Sequence, residues 1–97
     1  MIQRFKLGNV IATRGVMDAL LSDGSSIDRV RGILTEAVAR HVQGDWGNIC
    51  EYDKQVNDEA LVYGDRILSA YEVEGLTIWI ITEADRSATT ILFPDEY

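Results

Sequence analysis

The sequence predicts an α+β domain in which three helices cover one face of a small antiparallel sheet, in the order β-α-α-α-β-β-β. Three observations carry this expectation. The last third holds three short runs rich in β-branched and aromatic residues, RILSAYEV (66–73), LTIWIIT (76–82) and ATTILF (88–93). The middle of the chain repeats apolar residues at helical spacing between glycines. An antiparallel sheet needs at least one face covered, and the helices are the available cover. The 97 residues form one domain (1–97), and 46% hydrophobic with 26% charged residues is a globular rather than a disordered composition.

The first element, FKLGNVIAT (5–13), reads as a short strand, because Val10 and Ile11 favour extended backbone and Gly8 marks a bend or bulge. It pairs with the edge of the meander or lies apart from it. Thr13 caps a helix over 16–22, where Met17, Leu20 and Leu21 stand on one face. DGSS (23–26) ends that helix: Gly24 suits the position after its last turn, and Ser25 or Ser26 caps the next one. In SIDRVRGILTEAVARHV (26–42), Ile27, Val30, Leu34, Ala37, Val38 and His41 follow a single helical stripe, and Gly44 terminates it. A third helix falls within 48–63, with Val56, Ala60 and Tyr63 on one stripe, Asp53 as its cap and Gly64 at its end. Glu74-Gly75 joins the first two strands of the meander as a tight hairpin, and EADRS (83–87) is the longer second turn. Ile78, Trp79, Ile80 and Ile81 make the central strand apolar almost throughout, so it is expected to be buried on both faces or nearly so.

The formal charge of −7 is unevenly spread. Residues 1–40 carry six basic and four acidic side chains; residues 41–97 carry three basic (Lys54, Arg66, Arg86) and twelve acidic ones. A segment this acidic repels phosphate backbones, which disfavours direct nucleic-acid binding, and attracts basic surfaces. No apolar run approaches the roughly 20 residues that span a bilayer, and MIQRFKLGNV lacks the apolar core of a signal peptide. A lone Cys50 cannot close an internal disulfide. These features together lead to the expectation of a cytoplasmic protein without a membrane partner.

LGNVIATRG (7–15), RHVQGDWG (40–47), DKQVNDEAL (53–61), GDRILSAY (64–71) and IWIITEADRSATTILFPDEY (78–97) together resemble a family of short proteins encoded on bacterial plasmids, integrative elements and related mobile DNA. The resemblance spans most of the chain and is strongest from His41 onward, while 22–36 is longer than the family's usual spacer. Members are often labelled plasmid-related protein or type I restriction endonuclease subunit M. The second label does not suit this chain, which has no NPPY-like or glycine-rich nucleotide motif and is too short for a cofactor-binding domain. The resemblance implies a mobile-DNA context and no particular mechanism.

HVQGDWGNIC (41–50) gathers the only histidine, the only cysteine and one of the two tryptophans. His41 and Cys50 with Asp45 as orienter have the residue types of a nucleophilic pair, but His41 lies on the stripe of the second helix and Cys50 beside Ile49. Asp45 reads as a cap and Trp46 as a seal between helix and sheet. A set of His41, Asp45, Glu51 and Asp53 has one nitrogen ligand and no thiolate, which suits zinc poorly and a weakly held Mg²⁺ or Mn²⁺ only marginally. Glu83 and Asp85 flank Ala84 before Arg86, and Arg66 is expected near this turn; an ordinary hairpin loop with Asp85 or Ser87 bonded to its own backbone is the plainer reading. No phosphate loop or serine elbow occurs, and neither a cofactor nor a metal is expected.

Two functional classes follow. One is a non-enzymatic binder of a mobile element, an anti-CRISPR or anti-restriction inhibitor whose acidic surface covers a basic, nucleic-acid-binding surface of a host protein. Asp45, Trp46, Asp53, Arg66, Glu83, Asp85 and Arg86 are its candidate contact residues. The other is a small enzyme or ligand-binding protein using His41, Asp45, Asp53 and the 83–86 turn. A dimeric accessory subunit, a homodimer through the open edge of the meander, is the plainer alternative.

Overall fold

The computed structural model describes residues 2–97. It is an α+β fold with the elements β1 (Asn9–Ala12), α1 (Arg14–Leu21), α2 (Ile27–Val42), α3 (Glu51–Tyr63), β2 (Ile67–Val73), β3 (Leu76–Thr82) and β4 (Ala88–Leu92), followed by a 3-10 turn at Pro94–Glu96. Among the described residues no helix is long and apolar enough to cross a membrane.

The expected caps are formed. Thr13 accepts from the Val16 N–H and Ser26 from the Arg29 N–H, each satisfying a donor that the first turn leaves free. Gly44 follows α2 at φ +87°, and Gly64 closes α3 in the left-handed region. Glu74 and Gly75 both have positive φ, as the primed turn of a two-residue hairpin requires. α3 begins differently from the expectation. Cys50 holds its N-cap position without a side-chain bond, and Asp53 lies inside the first turn, where its charge favours the helix N-terminus without capping it.

The sheet corrects the expected topology. It is mixed rather than purely antiparallel, with strand order β1-β4-β3-β2. β2, β3 and β4 form the antiparallel meander, and β1 adds to it in parallel, pairing Asn9 with Ala88 and Ala12 with Ile91. The three helices and two strands between β1 and β4 make this possible, because a parallel pair needs a long crossover. Propensity marks a strand but carries no sign of its direction, so the sequence left β1 unplaced.

Register puts Ile67, Ser69 and Tyr71 of β2, Ile78, Ile80 and Thr82 of β3, and Thr89 and Ile91 of β4 on one face. All eight are buried. Val16 and Leu20 of α1 and Val30, Leu34 and Ala37 of α2 share a core cluster with Tyr71, Ile78, Ile80 and Ile91. On the opposite face Ile81 and Leu92 are buried, and Tyr97 packs edge-on against Trp79.

α3 meets the sheet at its β2 margin. Asn57 accepts from the Leu68 N–H (3.2 Å) and donates to the Leu68 carbonyl (2.7 Å), replacing a neighbouring strand at that residue. Two residues along, Ala70 N–H donates to the Trp46 carbonyl and Ala70 C=O accepts from the Asn48 N–H. The meander edge expected to be open to a second copy is therefore occupied at Leu68 and Ala70.

The 41–50 corner and the candidate binding surface

His41 is fully buried in the last turn of α2. Its Nδ1 lies 2.6 Å from Ser69 Oγ and its Nε2 2.9 Å from Thr82 Oγ1. Thr82 and Thr89 hydroxyls are 2.8 Å apart, and Thr89 donates to the Leu7 carbonyl at 2.7 Å. The carbonyl at the end of this chain fixes its polarity. Thr89 spends its proton on Leu7, so Thr82 donates to Thr89 and accepts from His41 Nε2–H. In the neutral imidazole, the form its burial favours, Nδ1 accepts from the Ser69 hydroxyl. Burial, and secondarily the positive charge of Arg86, push its pKa from 6.5 down to about 4. Phe5 packs edge-on against the ring at 5.2 Å, and Trp46 lies at 6.1 Å. Both nitrogens are engaged by hydroxyls, and the exposed Cys50 is not a partner. Among the described residues every buried side-chain N and O has a hydrogen bond.

The segment after α2 is fixed in the same manner. Asp45 accepts from Arg40 Nε at 2.7 Å and from the Gly47 N–H at 3.2 Å, and the Arg40 bond is the main reason its carboxyl titrates below the usual range. Trp46 is 5% exposed, packs with Ala60 and Ile67, and donates its indole N–H to Asp58 at 3.0 Å. Gly47, at φ +75°, lies so close to β2 that an added Cβ would sit 1.9 Å from the Ala70 carbonyl oxygen; no side chain fits there. Tyr71 donates its hydroxyl to the Asp45 carbonyl, and burial lifts its pKa to about 12. The corner thus locks α2, the approach to α3 and the β2 edge together.

The 83–86 turn divides between two roles. Arg86, at φ +60°, donates to the carbonyls of Asp65 (2.7 Å), Glu83 (3.1 Å) and Ala60 (3.2 Å). Its guanidinium therefore satisfies the C-terminal end of α3 and stacks over Phe5, rather than pairing with a carboxylate. Glu83 and Asp85 are exposed, and Asp85 accepts from Ser87, whose hydroxyl and N–H hold its carboxyl below the usual range. Arg66 bonds and stacks on Tyr97. Asp53 is exposed on α3, whereas His41 is buried. The clefts on either side of α2 are lined by other residues, among them Arg29, Ile33 and Val73 on one side and Val10, Met17 and Leu34 on the other. Among the described residues no group of three or more His, Cys, Asp or Glu is placed to hold a metal ion.

Two features escaped the sequence reading. Ser69, Thr82 and Thr89 are the polar partners of His41, and their signal was present: each occupies an inward register position otherwise filled by Ile or Tyr. The second is the outward turn of α3. Of the stripe expected to be buried, Ala60 is buried, whereas Val56 and Tyr63 are 41% and 76% exposed and Asn57 is buried instead. An asparagine clasping a strand edge rotates the buried face away from the one that hydrophobicity alone assigns. No family model, no curated protein and no solved structure matches the chain.

Proposed function

We propose that the chain is a non-enzymatic binding protein of a mobile genetic element. It lays an acidic surface over a basic, nucleic-acid-binding surface of a host factor such as a CRISPR or restriction complex, and it acts in the cytoplasm. One observation carries this reading: all sixteen carboxylate side chains are exposed. Within 41–97, only Asp45, Glu51 and Glu74 of the twelve acidic residues are in ion pairs among the described residues. The segment's two arginines are turned to other uses, Arg66 on Tyr97 and Arg86 on backbone carbonyls. The negative field is thus left largely uncompensated, a condition that steers a basic partner and repels phosphate. The resemblance to mobile-DNA proteins supplies the context, and the closed His41 network removes the imidazole from solvent chemistry.

Affinity capture of the tagged chain from host lysate tests this. The expected partner is a nucleic-acid-binding protein, retained at low salt and weakened at moderate salt. Glu83→Lys with Asp85→Lys weakens capture further while leaving the fold intact, because both side chains are exposed and away from the core. Recovery of no nucleic-acid-binding protein at either salt concentration contradicts the reading.

A further inference from the structure

The outer face of α3 is an exposed apolar stripe set in negative charge. The thirteen-residue helix buries only Asn57 and Ala60, yet it carries four of the nine large hydrophobic side chains that are exposed among the described residues: Tyr52, Val56, Val62 and Tyr63. Tyr52, Val56 and Tyr63 stand at i, i+4 and i+11 along one side of the helix, with the Glu59 carboxylate at i+7 between the last two. Tyr52 and Tyr63, at 73% and 76% exposure, are the aromatic type that dominates binding energy at interfaces. The same helix has four carboxylates, Glu51, Asp53, Asp58 and Glu59, against one base, Lys54, which lies 3.5 Å from Glu51.

We propose that this face is the docking element: α3 seats its Tyr52–Val56–Tyr63 line in an apolar groove of a partner protein whose rim carries Lys and Arg. The proposal deepens the reading above and rests on it. Helix-in-groove recognition uses anchors at this spacing, and the flanking acids set the charge of the rim that accepts them. Charge also selects among occupants. A second copy would place four carboxylates against the same four with one lysine per helix, a like-charge contact that opposes association. A cytoplasmic membrane leaflet carries negative lipids and repels the face likewise. A basic protein groove satisfies both the stripe and its border.

The experiment uses the full-length chain and the partner recovered by capture, purified, with affinity measured by titration calorimetry at two salt concentrations. Tyr52→Ala combined with Tyr63→Ala is expected to weaken binding about tenfold or more, with unchanged thermal melting because neither ring is packed. Glu59→Lys, a second variant on the same line, is expected to weaken binding and reduce its salt dependence. Unchanged affinity in both variants, with loss on Glu83→Lys and Asp85→Lys, overturns the α3 assignment and leaves the acidic-binder reading standing. Failure to recover a basic partner, or binding insensitive to salt, overturns both.

Discussion

Trp46→Ala is expected to lower the unfolding free energy by about 3–5 kcal/mol, in the range of large aromatic truncations in cores. The effect is large because Trp46 is buried where the 41–50 segment, α3 and β2 meet. Its ring fills the space between Ala60 of α3 and Ile67 of β2, beside Phe5 and Ile49. Its indole N–H bonds Asp58, and its carbonyl accepts from Ala70 on the sheet margin. Truncation opens a cavity, removes the Asp58 bond and loosens the segment that occupies the β2 edge. Urea denaturation followed by circular dichroism measures it, and Trp46→Phe should lose less, because it keeps most of the ring volume but not the bond. Near-native stability of Trp46→Ala with loss of partner binding would show that 41–50 is a contact site instead of a structural corner.

A second large effect is expected on acidification. Folded His41 titrates near 4, whereas the unfolded side chain returns to its ordinary value of 6.5. Between those pH values the unfolded chain binds a proton that the folded chain does not, so stability falls as pH falls. The contribution is fully present above 6.5, declines through the interval by up to about 3 kcal/mol, and levels off below 4. The carboxyls of Asp45 and Asp85, held low by hydrogen bonds, lose their contribution only in the more acidic range below their ordinary 3.8. The two windows are therefore separable. Urea titrations at pH 7, 5.5 and 4.5 should show the decline in the native chain and its absence in His41→Gln, which keeps a polar group without a titrating one. An identical slope in both chains would assign the decline to other groups.

Much of this architecture is legible in the amino-acid sequence. Strand and helix boundaries follow from Thr13, Ser26, Gly44, Gly64 and the Glu74-Gly75 turn, because each of these residues solves a local backbone problem that depends on its neighbours alone. The parallel placement of β1 was not legible, since four residues of β propensity do not state their direction. The face of α3 was misread for a related reason. Periodicity assumes that apolar residues turn inward, but here Asn57 turns inward to bond the backbone of Leu68, and Val56 and Tyr63 turn out. At the 41–50 corner, the sequence identified Asp45 and Trp46 as structural candidates but could not supply Ser69, Thr82 and Thr89, which come from three strand positions 28 to 48 residues downstream of His41. Adjacency places Arg86 beside carboxylates; the fold instead gives it two carbonyls at the end of α3, Ala60 and Asp65, and that of Glu83 in its own turn.

The acidic-surface account makes one claim above the others: that the chain and nucleic acid compete for the same face of the host factor. Fluorescence anisotropy of a labelled nucleic acid bound to the captured partner measures this directly. The account predicts that adding the chain releases the nucleic acid stoichiometrically, with more chain needed as salt rises and less release by Tyr52→Ala/Tyr63→Ala. A ternary complex, in which the chain binds while the nucleic acid stays in place, would contradict it.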